Sequence, residues 1–366
     1  MRGHRWHHSL LGRQLQRPTR EQLAHRQHVA RRRAILIVVP FRFDVRSRAA
    51  TFSRLMRFPI VVVSVVSFAA CAPVVVSYAA GALASQGESF AADDDPELIA
   101  AAAPFGLKVT ESVLEKAPDR VDLLVSAASG FTQYAFAFVQ QPADFAEAIS
   151  LEQAQFGHAR AKRLYRRAMA YGLRALEAAH AGFGDGLIKN QVDILSKTVK
   201  ADVPALYWTA APWAARIVLS KNDPALLGDL GTVEALMRRA LELDEVFDTG
   251  AIHEFFEAFE AARPGVKADV AKAKAAVHRD RALALSHGQK IGPYVTWAST
   301  VDVAAQDRAE FDTMIEKAVS FDIDSAPNFR LVNTIMQRRA QWLKGQAPEL
   351  FVNARPRADV VVMKGN

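Results

Sequence analysis

Apolar residues follow two regimes along this chain. From Asp95 to about Leu343 they recur every three or four positions between polar ones, the spacing that gathers them on one face of a helix. Ahead of that, Phe58–Ala70 is an unbroken uncharged run, preceded by Met56 and Arg57 and closed by Cys71, the single cysteine. Asp95-Pro96-Glu97 has the features of a helix start: a capping acid, a proline for the first turn and a glutamate for the positive helix end. Pro118-Asp119 breaks this first helix and opens a second that carries Leu123 to Val139. A third is expected over roughly 143–181, with Ala161, Leu164, Tyr165, Ala168, Gly172, Ala175, Leu176 and Ala179 on one face, and the Gly182–Gly186 turn ends it. Further helices are expected near 187–199, 203–220, 231–243, 248–262, 268–286, 291–303, 307–321 and 325–344.

No stretch alternates apolar and polar residues over a useful length, so the expected class is all-α. The helix ends VLEKAPD (113–119), ALELDEV (240–246), ALALSHG (282–288) and AVSFDID (318–324) each place an apolar pair before a polar stop, the last three spaced by 42 and 36 residues. Degenerate tetratricopeptide-like helix pairs, forming a helical bundle or superhelix, account for that loose period. An irregular helical bundle with coincidental endings is the alternative.

Met56–Cys71 has the order of a secretory signal: a short basic start, an apolar run, and small residues at the cut. Phe68-Ala69-Ala70-Cys71 matches a bacterial lipobox, which makes Cys71 the expected lipidation site and residues 56–70 a lipoprotein signal peptide. A core strand or a short membrane span are the alternatives, and the run is short for a span, which needs about 20 apolar residues. Ala72 after the cysteine favours the outer membrane over the inner. Residues 71–95 then form a lipidated tether, 96–352 the helical domain and 353–366 a tail.

Charge changes its meaning once this signal is recognised. The whole chain of 366 residues has 46 Lys+Arg and 39 Asp+Glu, a net +7. Residues 1–55 hold 13 arginines, no lysine, 5 of the 10 histidines and two acids. Such a composition is what GC-rich upstream DNA yields on translation, so 1–55 is expected to be a spurious or disordered extension before a start at Met56. A nucleic-acid-binding arm and a twin-arginine export signal over Ile35–Val39 are the alternatives, the latter cut short by Pro40. Without 1–55, 33 basic and 37 acidic residues remain, a net of −4, and no case for nucleic acid survives. From Cys71 the chain has 296 residues, enough for one large domain or two small ones. A lipidated Cys71 leaves no thiol for a disulfide or a metal site.

Catalytic motifs are incomplete. His253-Glu254-Phe255-Phe256-Glu257 is half of a zinc-protease helix, with glutamate where the second histidine belongs. His278-Arg279-Asp280 copies the start of a kinase catalytic loop without the later asparagine or a glycine-rich loop. The Gly182–Gly186 turn lacks a phosphate-binding lysine, and no cofactor is implied. The expectation is a protein that is not an enzyme. What remains is aromatic and polar residues within Ala-rich helices: GFTQYAFAFVQQ (130–141), ALYWTAAPWAA (205–215), PYVTW (293–297) and NTIMQRRAQW (333–342). Most helical aromatics are core. Yet Tyr207, Trp208 and Trp213 cluster beside Pro212, and Gln133 and Gln337 with Arg338 and Arg339 add polar handles, as ligand pockets do. Tyr134, Tyr207, Trp208, Trp213, Trp297 and Gln337 are therefore the candidate ligand- or pore-lining set.

ESFAADDDPELI, SGFTQYAFAFVQQPADF, ARAKRLYRRAMAYGLRAL, ALYWTAAPWAARIVLSKNDP, VEALMRRALELDE and NTIMQRRAQWL together resemble the T component of tripartite ATP-independent periplasmic (TRAP) transporters. The likeness covers nearly all of Asp93–Phe351, and His253–Gly265 departs from the pattern. It implies a periplasm-facing lipoprotein of degenerate tetratricopeptide-like helix pairs, anchored to the membrane by its lipid. It also implies a TRAP extracytoplasmic solute-binding protein as partner and a homo-oligomer, a trimer being one form, with pores through which a carboxylated or apolar small molecule passes. A general envelope interaction scaffold using a concave helical surface is the alternative, and neighbouring genes discriminate the two.

Overall fold

The computed structural model describes residues 90–351, and among these there is no strand. The expectations for the N-terminal extension, the signal peptide, Cys71, nearly all of the tether and the tail lie outside the described residues.

Helix α1 (Pro96–Leu114) starts as its sequence requires: the Asp95 carboxylate accepts from the Leu98 amide at 2.9 Å, and Pro96 occupies the first turn. Helix α2 (Val121–Ala135) buries Leu123, Leu124, Ala127, Ala128 and Phe131. It does not stop where expected but runs through a π-helical turn (Phe136–Gln140) into α3 (Gln141–Ala146). Pro142 explains this turn. Its ring nitrogen has no hydrogen to donate, and the backbone absorbs the missing bond by widening, with Gln141 N–H donating to the Phe136 carbonyl. The expected start of the third helix at 143 is thus corrected. Helix α4 (Leu151–Ala179) begins eight residues later, where the Ser150 hydroxyl accepts from the Gln153 amide at 3.3 Å.

The buried face of α4 holds the Ala161, Tyr165, Ala168, Gly172, Ala175 and Leu176 of the expected stripe. Its small residues let two helices lie against it, α2 and α7 (Val203–Val218). The approach is closest at Gly172, where a Cβ would sit 2.9 Å from the Thr209 Cα of α7. Between α4 and α7 come the short α5 (Phe183–Lys189) and α6 (Gln191–Ser196), two helices where one was expected. After α7 follow α8 (Pro224–Gly228), α9 (Leu230–Leu243), and the pair α10 (Ala251–Ala261) and α11 (Ala268–Leu285). Then α12 (Gly292–Trp297) passes through a second π turn (Ala298–Asp302) into α13 (Val303–Ala305). Helices α14 (Arg308–Val319) and α15 (Arg330–Leu350) complete the body.

Packing is mostly between neighbours in sequence: α2 on α4, α4 on α7, α7 on α9, α10 on α11, and α12 and α15 on α14. The pairs differ in length, from the 29 residues of α4 to the 11 of α10, so no fixed unit repeats. Among the described residues three apolar cores result, one from α1 to α10, a second around α12, α14 and α15, and a small third where the end of α2 and its π turn meet α4. The last helix returns to the first. Arg338 of α15 grips Glu97 of α1 with two bonds, at 2.6 and 3.1 Å, Arg339 pairs with Asp144 of α3 at 2.9 Å, and Arg330 donates to the Ala92 carbonyl at 3.2 Å.

Candidate ligand cavity

This return leaves a space inside the wall of helices. A cavity of about 1280 Å³, partly open to solvent, is lined by α1, α2 with its π turn, α7, α9, α10, α12 and α15. The outer helices α4, α11 and α14 contribute no residue to its wall. The lining is mainly apolar and aromatic. The π turn brings Phe136, Ala137 and Phe138 to the wall, because its wider pitch shifts side chains off the face that α2 packs on α4. Across the space, Phe255 and Phe259 of α10 stack at 5.6 Å, and Tyr207 meets Trp208 edge to face at 4.8 Å. Ile99, Leu107, Ile335 and Met336 fill the wall between them.

The candidate residues divide evenly. Tyr134, Tyr207 and Trp208 lie on the wall, as does Gln133. The Tyr134 hydroxyl accepts from Arg160 at 3.2 Å. Trp213, Trp297 and Gln337 are not among the residues that line this cavity. Trp213 donates its indole N–H to Asp229 at 3.0 Å and so ties α7 to the start of α9. Trp297 is 1 % exposed in the second core, its N–H on Glu310 at 3.0 Å and the Arg279 guanidinium 3.9 Å above its ring. The Gln337 amide donates to the carbonyls of Val319 (2.9 Å) and Phe321 (3.1 Å), partners that the end of α14 otherwise lacks.

Polar groups interrupt the apolar wall at two places. At one, Arg263 bridges Glu234 and Glu260, each at 2.7 Å, and these arginine contacts hold both carboxyls below their ordinary range. At the other, Lys290 donates to the Asp248 carbonyl at 2.7 Å and lies 3.1 Å from a Glu254 oxygen. Burial raises the pKa of both Asp248 and Glu254, with Lys290 pulling the other way, and burial first and these two carboxylates next keep the Tyr207 phenol protonated. Asp248 and Thr249 have φ of 44° and 51°, a left-handed turn that non-glycine residues seldom adopt, and Gly250 follows at 95°. The hydrogen bond from Lys290 pins that turn.

Sequence reading missed this second station. Glu254 was visible only inside the broken zinc motif, and Lys290 comes from the link between α11 and α12, whose position no periodicity reports. His253, of the same motif, faces away from the cavity: its Nδ1 meets the Nδ1 of His278 at 2.9 Å, joining α10 to α11. Burial lowers both pKa values, that of His278 to about 4. Among the described residues no group of three His, Cys, Asp or Glu converges as a metal site, and no helix is long and apolar enough to cross a membrane.

A model of the family described as TRAP transporter T-component matches residues 92–351. An uncharacterized protein of Treponema pallidum (strain Nichols) is 28% identical over 269 residues, which take in 72% of this chain and 83% of that protein.

Proposed function

Since the chain belongs to the TRAP transporter T-component family, we propose that it is an accessory subunit that receives a small, largely apolar organic molecule in its cavity and exchanges it with the extracytoplasmic solute-binding subunit. The observation that carries this reading is the cavity itself. At about 1280 Å³ it exceeds the few hundred to about 1,000 Å³ of ordinary small-molecule sites. Its wall is built by one inner layer of helices, and aromatic rings border the space, Tyr134, Tyr207, Phe255 and Phe259 resting their other sides on the first core. Family membership supplies the transport context, and the wall supplies a place for cargo. The role is one of binding rather than catalysis. Lipidation at Cys71 on the periplasmic side belongs to the same proposal, since it would hold the chamber close to the membrane subunits. Self-association into a homo-oligomer is likewise part of it.

The test is capture of the solute-binding subunit encoded beside this gene on the immobilised chain, with and without Trp208→Ala and Phe255→Ala. The expected result is a complex whose small-molecule content, read by mass spectrometry of the extracted complex, falls in the two variants. Failure of the wild-type chain to bind that subunit, together with an empty cavity after isolation from its own cells, would overturn the proposal.

A further inference from the structure

The two polar stations on the wall differ in charge balance. Around Arg263 two arginines, Arg263 and Arg238, face two carboxylates, Glu234 and Glu260, and every charge has an opposite partner. Around Lys290 the carboxyls outnumber the cations. Asp248 and Glu254 are both on the wall, and Glu257 follows one turn along α10, wholly buried with neither oxygen hydrogen-bonded. Arg279 offsets Glu257 by charge alone, without a hydrogen bond to it: its guanidinium lies 3.9 Å over the Trp297 ring and its Nε donates to Asp280 at 2.9 Å.

At this station Lys290 is the cation for two wall carboxylates, the other wall ammonium being Lys221 from the α7–α8 link, and the shortest bond of Lys290, 2.7 Å, goes to a main-chain carbonyl. The Glu254 Oε1 is 3.1 Å away, an ion pair with Lys290. The Asp248 Oδ1 is 3.9 Å away, and 52 % of that side chain is open while the Lys290 side chain is only 10 % open. Two carboxylates therefore share one covered cation at the cavity end, Glu254 ion-paired with it and Asp248 farther away and open. The second carboxylate has charge and acceptor capacity left over, and a ligand that brings donors and positive charge can take it up in charge-assisted hydrogen bonds. A carboxylate ligand would instead place a third negative charge beside two.

We propose that this end of the cavity receives the cationic head of an amphipathic ligand, a protonated primary amine on an apolar body, with Asp248 and Glu254 as its counter-charges. Tyr207 and Trp208 contribute ring faces, which attract a desolvated ammonium, and Phe255 and Phe259 continue the wall along the body. The strained turn at Asp248–Gly250 has a use in this arrangement, since it holds the Asp248 carboxylate at the cavity while its carbonyl engages Lys290. A metal ion is the poorer fit, because no third ligand of the described residues converges there. The proposal rests on the cavity being a ligand chamber.

The experiment uses the full chain and three ten-carbon probes below their micelle concentrations: decylammonium, decanoate and decanol, titrated by calorimetry at pH 7. Decylammonium is expected to bind tightest at one per chain. Asp248→Asn should weaken it at least about tenfold while leaving decanol within about twofold. Asparagine tolerates the left-handed backbone as well as aspartate does, so the variant keeps the turn. Decanoate binding as tightly as decylammonium, or decylammonium binding unaltered in Asp248→Asn, overturns the cationic head and leaves the chamber standing. Binding of none of the three probes overturns the chamber together with its head group.

Discussion

Trp208 and Trp297 offer a contrast whose size follows from their surroundings. Trp297 is packed on all sides in the second core, with an N–H bond to Glu310 and Arg279 stacked on its face. Truncation to alanine removes a large buried ring, a loss of roughly 3–5 kcal/mol. The truncation takes the donor from Glu310 Oε1, but that side chain is partly open to solvent and keeps Lys272 on Oε2 at 2.8 Å, so no further large penalty is added. A body of this size shifts its Tm by about 2–4 °C per kcal/mol, so Trp297→Ala should melt about 6–20 °C lower. Trp208 borders the cavity and is only half-buried, with Tyr207 edge to face at 4.8 Å, so Trp208→Ala should cost less, about 1–2 kcal/mol. Unfolding followed by far-ultraviolet circular dichroism, in parallel with decylammonium binding, separates the two. Trp208→Ala should weaken binding with a small stability loss, and Trp297→Ala the reverse in its folded fraction. Equal stability losses, or a larger one for Trp208, would show that the cavity wall is packed core and refute the reasoning.

Gly172→Ala should destabilise by about 1–3 kcal/mol through the crowding against Thr209, whereas Gly345→Ala, open to space within α15, should stabilise by up to about 1 kcal/mol; urea midpoints compare them. Asp302, fully buried in the second π turn with neither oxygen hydrogen-bonded, has its pKa pushed up to about 7, by burial first and by Glu310 next. The folded protein therefore holds a proton there that the unfolded chain releases above about 4, so this group's contribution to stability falls as pH rises from about 4 to about 7 and is level above. Asp302→Asn should accordingly raise the Tm at pH 8 more than at pH 4.5, and an equal change at both would sink the assignment. Cys71→Ser should move the protein from the membrane to the soluble fraction, and continued sedimentation with membranes would place the anchor elsewhere.

The helices themselves were legible because their signals are local. Asp95 caps the first helix as its sequence implies, and the small-residue stripe on α4 is buried as its spacing implies. The third helix was started too early because Pro142 reads as a break in sequence, and a π turn lets the backbone carry it without one. Site residues were harder for a different reason. A tryptophan in an alanine-rich helix has the same neighbours in sequence whether it faces a core or a cavity, and only the partner helix decides. Trp297 met Arg279 from α11 and became core, while Trp208 lines the cavity. Lys290, Asp248 and Glu254 come together from the turns before α12 and α10 and from α10 itself, a meeting no repeat spacing records.

The bond from Glu97 to Arg338 spans 241 residues of chain. Until α15 has left the ribosome, the other inner helices can pack on their outer partners yet enclose nothing, and Ile99, Ala103 and Leu107 border an open trough. The chamber is therefore a property of the finished polypeptide. Translation that stops short of α15 would leave helices folded in series, with an apolar strip exposed along their whole inner side for chaperones and proteases to recognise.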